Sequence, residues 1–294
     1  MNRYDLVFAG HESIYEIDGP EGSARGLQGG AASFGALAAQ WSKKKIAVVT
    51  RMAKEEAPLL DFLKTAGIDL YIHTLASTTH MRIVQPSGDF DDRQIVLTQN
   101  AGFFESADVP PLAPCWIHLA ALTGSEFTLG FIRHLKQSGF RLSVDMQGFV
   151  RHVDAETGII EFKDVPAKRE ILELAEIVKL DIIEAEVLTG TRDMEEAAKR
   201  LEGWGSLETL LTSSEGALAR HRGLTYFRKF SNRSSRGRTG RGDTTIGAYL
   251  GGRMDHPVQE SLALAVAVAS IKMDTPGPFR GRLDDVLSRM KESS

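Results

Sequence analysis

The sequence is short of several things. Of its 294 residues one is a cysteine, Cys115, so no internal disulfide can form and a reduced cytoplasmic setting is expected. No apolar run approaches the ~20 residues of a membrane span; the longest extends from Leu262 to Ile271. The opening residues, Met1 to Gly10, hold no apolar stretch of signal-peptide length and read as a strand. Charge is nearly balanced at a formal −4, which gives no global pull toward nucleic acid or an anionic membrane. The histidines, His11, His80 and His118 among them, lack paired ligand spacing, which argues against zinc. Repeats, low-complexity tracts and an interdomain linker are missing too. What remains is a soluble chain long enough for one large α/β domain or two small ones.

Short apolar runs alternate with helical patterns over most of the length, the signature of a parallel sheet with crossover helices. The runs predict strands over Asp5–Ala9, Lys45–Thr50, Leu70–His73, Trp116–Ala120, Arg141–Val144, Ile177–Leu180 and Thr209–Leu211. Helices are predicted over Ala31–Ser42, Glu55–Thr65, Glu126–Ser138, Ala167–Leu174, Asp193–Leu201, Thr244–Met254, Val258–Lys272 and Arg282–Lys291. Two segments interrupt the alternation, 12–28 and 78–98, the second with period-two stretches on either side of a turn-rich Pro86–Asp92. They read either as a small β lid or as two unrelated surface loops.

The densest chemistry lies between Arg228 and Gly242, with six cations (Arg228, Lys229, Arg233, Arg236, Arg238, Arg241) and no carboxylate before Asp243. Cations at a helix N-terminus oppose its dipole by ~0.3–1 kcal/mol each, so an anion, phosphate foremost, is expected between them and the backbone amides. Gly237, Gly240 and Gly242 allow the backbone to approach that anion closely. Asp243 serves there either as a general base beside a phosphoryl group or as an ordinary helix cap. The loop lacks the Gly-Lys-Ser/Thr of a Walker loop.

Thr239-Gly-Arg-Gly-Asp243-Thr resembles the C-terminal signature of the ribokinase-like (PfkB) family of carbohydrate kinases. Four other segments follow that family's order: Gly29-Gly-Ala-Ala-Ser33, Asp181-Ile-Ile-Glu184 with Leu-Thr-Gly190, Thr212-Ser-Ser-Glu-Gly216, and Ala265–Lys272 leading to Pro276-Gly-Pro278. The resemblance spans about the whole chain. It implies one ribokinase-like domain over 1–294: three α/β/α layers, a mostly parallel sheet with helices on both faces, and a β lid from about 12–28 and 78–98.

The implied activity is ATP-dependent phosphorylation of a hydroxyl on a small polyol, sugar or sugar acid, with the GRTGRGDT version of the loop resembling an inositol- and polyol-pathway subgroup. Asp243 would be the base and the amides of Gly240, Arg241 and Gly242 the anion hole. Such donors are worth ~10²–10³ in rate and a positioned base ~10²–10⁴. Thr212, Ser213, Ser214, Gly216, Arg238 and Thr239 would hold ATP. Glu184 and Asp181 would organise Mg2+, although three-residue spacing also suits a solvated acidic helix face. Gly29, Gly30, Gln147, Arg151 and Arg82 would meet the substrate. A homodimer paired through the lid is compatible with the resemblance.

Three departures matter. Gly237 replaces the Asp that in the family helps hold a monovalent cation, which argues against that cation and suggests that Arg238 and Arg241 supply fixed charge instead. Phe34 stands where sugar kinases commonly carry Asn, and Tyr15 where a substrate-gripping Asp is frequent, so a standard sugar grip is not expected. A nucleoside kinase of the same fold and a non-catalytic sugar- or nucleotide-sensing homologue remain alternatives. Nucleic-acid binding is disfavoured by the net charge.

Overall fold

The structure is a computed structural model that describes residues 1–20, 22–87 and 93–292, with the side chains of 27, 28 and 292 left aside. The chain opens with β1 (Leu6–Ala9), then β2 (Glu12–Gly19), β3 (Gly22–Gly30) and α1 (Ala31–Ala39). β4 (Ile46–Ala53), α2 (Asp61–Thr65), β5 (Asp69–Leu75), β6 (Thr79–Val84) and β7 (Gln94–Gln99) follow. The middle holds β8 (Trp116–Leu119), α3 (Leu129–Gln137), β9 (Arg141–Asp145), α4 (Gln147–Val150), β10 (Arg151–Val153), β11 (Ile160–Phe162) and α5 (Lys168–Leu174). The last stretch is β12 (Ile177–Asp181), α6 (Ile182–Thr189), α7 (Met194–Gly203), β13 (Glu208–Thr212), β14 (Gly216–His221), β15 (Leu224–Lys229), α8 (Arg241–Arg253), α9 (Val258–Met273) and α10 (Leu283–Glu292).

Nine strands form the main sheet in the order β15-β14-β13-β12-β9-β8-β1-β4-β5. From β13 to β5 every neighbour is parallel, while β13–β14 and β14–β15 are antiparallel. The parallel part is sandwiched. Leu6 and Phe8 face the core under α1, α8 and α9, whereas Val7 and Ala9 face the opposite core under α3, α5, α6 and α7. A strand turns successive side chains to opposite faces, and with helices on both sides both sets are apolar. Every residue of α1 is buried, and its small residues admit α8 so closely that a Cβ on Gly247 would stand 2.1 Å from the Gly35 carbonyl.

A second sheet, in the order β3-β2-β6-β7, is assembled from the two segments that interrupt the α/β alternation. β2 and β6 run parallel at its centre, with β3 and β7 antiparallel outside them. The turn-rich segment between β6 and β7 lies largely outside the described residues. The antiparallel β14–β15 hairpin is absent from the predicted strands, and Glu55–Thr65 is split into a 3-10 turn (Ala57–Leu60) and the short α2. No helix among the described residues is long and apolar enough to cross a membrane.

Candidate active site

The basic loop ends where α8 begins, and its glycines act differently. Gly240 caps the helix at φ 80°, with the Phe34 ring so close beneath that a Cβ would stand 2.3 Å from it. Gly237 lies against the end of α9, its Cβ position 2.0 Å from the Thr275 carbonyl. Gly242 sits over Lys179, whose Nζ is 2.9 Å from where a Cβ would be. The Arg241 amide donates to the Arg238 carbonyl at 3.1 Å and Thr244 N to the Gly240 carbonyl at 2.9 Å. Of the amides expected in an anion hole, at Gly240, Arg241 and Gly242, that of Arg241 is engaged in this turn, while Gly242 and Asp243 lie in the first turn of α8. Helix geometry gives such amides no intrahelical acceptor.

Beneath the loop lies a buried ionic cluster at the carboxyl ends of the parallel strands, where α/β sheets commonly hold ligands. Lys179, 2% exposed on β12, pairs with Asp145 at the end of β9 at 3.0 Å, and Glu184 Oε2 lies 3.9 Å away. Burial alone would lower the Lys179 pKa, but Asp145, Glu184 and Asp243 outweigh it and keep the ammonium charged. Burial pushes Glu184 up to about 8, against the pull of Lys179.

Asp181 and Glu184 form a reciprocal capping box on α6. Asp181 Oδ1 accepts from Ile183 N at 2.9 Å and Glu184 N at 2.8 Å, and Glu184 Oε2 accepts from Asp181 N at 2.7 Å. One Asp181 oxygen is thus committed to the helix, whereas Glu184 Oε1 is buried without a hydrogen-bond partner. No cluster of three or more His, Cys, Asp or Glu fit to hold a metal is found among the described residues. A single carboxylate oxygen still fits a magnesium ion that keeps water and takes its remaining oxygens from a phosphate donor.

A cleft with about 550 Å³ of open space separates the second sheet from the body. Glu12, Ser13 and Ile14 of β2, Gly29 of β3, Ser33 and Phe34 of α1, and Arg280 line it, with Met52, Leu60 and Phe62 as an apolar floor. Glu12, 4% exposed, turns its carboxyl inward against Gly30, and its Oε1 accepts from Ser33 N at 2.8 Å. Burial, reinforced by Asp243 and Glu126, raises its pKa to about 8 despite the bonds from Ser33. Sequence reasoning missed Glu12; a carboxylate three residues past the end of β1 is the signal that could have found it.

The other expected site residues divide. Gly29 lines the cleft beneath the Tyr15 ring, and Gly30 borders the Glu12 carboxyl. Arg82 pairs with Asp18 on the exposed second sheet, away from the residues lining the cleft. Gln147 opens α4 and donates from Nε2 to the Ala121 carbonyl at 3.2 Å. Arg151 is buried, its Nε unpartnered and its guanidinium 5.7 Å from the Phe162 ring centre. Thr212 is fully buried at the end of β13 with its hydroxyl unpartnered. Ser213 is occupied by the following turn, where its Oγ accepts from Glu215 N and Gly216 N. Gly216 presses on β15, and a Cβ there would meet the Arg228 carbonyl at 2.2 Å. Thr239 gives its carbonyl, like Gly237, to Lys272 Nζ.

Residues 157–281 match the model of the pfkB family carbohydrate kinases. Over that stretch the chain is similar to a pfkB-type kinase domain. Its fold is ribokinase-like, and the protein is a phosphotransferase that acts on an alcohol. A cytidine kinase of Thermococcus kodakarensis is 26% identical over 286 residues, covering 89% of this chain and 93% of that protein. A pyrophosphate-dependent kinase of the ribokinase family, solved as a sulfate complex, is 29% identical with a TM-score of 0.88, over 96% of this chain and 99% of that one. A pyrophosphate-dependent ribokinase-family kinase solved with a pyrophosphate analogue and myo-inositol is 28% identical with a TM-score of 0.87, over the same shares.

Proposed function

We propose that this kinase domain transfers a phosphoryl group to a hydroxyl of a small polyol, with Asp243 as general base. The observation that carries this reading is the placement of Asp243 in the first turn of α8, its charge felt by Glu12 at the cleft and by Asp145, Lys179 and Lys272 below the loop. The acceptor hydroxyl loses its proton to the Asp243 carboxylate as its oxygen attacks phosphorus, and the donor leaves as a phosphate. Charge on the transferred oxygens meets the amides of Gly242 and Asp243, with the basic loop around them; such transfer depends mainly on positioning and charge stabilisation. Magnesium, held through water by Glu184 Oε1, would offset negative charge on the donor phosphates. The apolar floor suits a ring face, and Glu12, protonated near neutrality, can both accept from and donate to a ring hydroxyl.

The donor carries a diphosphate. The six cations from Arg228 to Arg241 favour inorganic pyrophosphate, whose charge is compact, and the two solved kinases of 28–29% identity support the same choice. ATP is the second reading, favoured by the buried, unpartnered Thr212 hydroxyl at the strand end. A cytoplasmic setting and a homodimer formed along the outer edge of the second sheet belong to the same proposal.

Pyrophosphate or ATP, with Mg2+, is offered against polyols, sugar acids and nucleosides while phosphate or ADP release is measured. Pyrophosphate-driven phosphorylation of a cyclic polyol is expected. Turnover of nucleosides alone would transfer the protein to the nucleoside-kinase reading, and no turnover would favour a sensor. Asp243→Asn should lower kcat by ~10²–10⁴ while leaving donor binding intact; undiminished turnover would remove Asp243 from the base role.

A further inference from the structure

Lys272 lies near the end of α9 and is 2% exposed, among the largest fully buried side chains. Its ammonium donates to the backbone carbonyls of Gly237 and Thr239 and stands 5.3 Å over the Phe34 ring centre. The Asp243 carboxylate is the charge felt across this space, and burial lowers the Lys272 pKa to about 8 while Asp243 draws it back up. A buried lysine bonded to neutral carbonyls is costly, because the dry interior disfavours the charge unless something specific is gained.

The gain lies in the backbone geometry. The carbonyls of Gly237 and Thr239, just ahead of the first turn of α8, converge on the Lys272 ammonium. Converging carbonyl dipoles repel in a low-dielectric interior unless a positive charge sits between them. The Gly237 amide is tied to the Met273 carbonyl at 2.9 Å, so the loop is clamped to the end of α9 from both sides of one residue.

We infer that Lys272 is a tethered cation: its ammonium occupies the position a free monovalent cation would take behind the anion loop, making it the positioning residue for the amides at Gly242 and Asp243. The charge expected from Arg238 and Arg241 is thereby assigned to a different residue on a different element. Two consequences follow. The enzyme works without a free monovalent cation, and deleting the ammonium creates a site that a small cation can refill.

The inference rests on the phosphotransfer reading above, and the test separates the two. Turnover with the best donor and acceptor is measured at pH 7 in potassium, ammonium and tetramethylammonium salts at equal ionic strength. Wild-type rates should agree within about twofold. Lys272→Met, whose fold is checked by its melting curve, should lose at least about 100-fold in kcat with acceptor KM changed less than about threefold. Ammonium, and to a lesser degree potassium, should restore about tenfold or more with saturation, and tetramethylammonium nothing. A wild-type enzyme that needs potassium would overturn the inference. So would a Lys272→Met enzyme with undiminished kcat, or a folded variant that no small cation restores. Absence of wild-type turnover on every donor and acceptor would instead sink the phosphotransfer reading.

Discussion

Glu12 carries a carboxyl into the cleft beside α1, where burial raises its pKa to about 8 against an ordinary 4.5. Between those values the folded protein keeps a proton that the unfolded chain has released. Stability from this group is therefore fully present below about pH 4.5 and is lost as pH rises through 8. Glu12→Gln has no such proton, so its melting temperature should gain on the wild type as pH is raised from 5 to 8, with a higher acceptor KM. A wild-type-minus-variant difference that stays flat over that range would show the carboxyl to be ionised throughout. Asp243 and the loop glycines stood out in the sequence as candidates because their spacing is local. Glu12 and Lys272 did not, since each acts on a backbone that the fold brings to it: Gly30 from β3 in one case, Gly237 and Thr239 in the other.

The helix α6 shows how an element redistributes the roles of its residues. The resemblance implies that Asp181 and Glu184 organise Mg2+, and the capping box commits Asp181 Oδ1 and Glu184 Oε2 to the first turn. Asp and Asn are comparable N-caps, so an amide at position 181 should keep the cap. Asp181→Ala should cost about 1 kcal/mol in urea denaturation and Asp181→Asn less than about half of that. Equal losses would show that charge, rather than capping, is what the position supplies. The β14–β15 hairpin escaped sequence reading for a related reason. Its turn places both Arg222 and Gly223 at positive φ, 48° and 77°. Such turns favour Asn or Asp at the first of those positions, and an arginine there leaves little signal.

At the scale of the whole molecule, the main sheet supplies the cluster at its strand ends, the connection from β15 to α8 supplies the loop, and the second sheet closes the cleft over Ser33 and Phe34. An acceptor bridging β2 and α1 binds the folded protein alone, so a polyol at a hundredfold excess over its Kd should add about 2.7 kcal/mol. The melting temperature should rise by several degrees, with slowed amide exchange in β2 and β6. Slowing confined to the main sheet would place the acceptor elsewhere. The sequence by itself determined the parallel α/β core and the glycine-rich basic loop ahead of α8. Alternating apolar runs and glycine spacing are properties of neighbouring residues, written where they act. Tertiary structure alone decided which carboxylate enters the cleft, which oxygen of Glu184 is left over, and which cation supports the loop. Those choices depend on burial and on partners distant in sequence, where desolvation decides which charges persist.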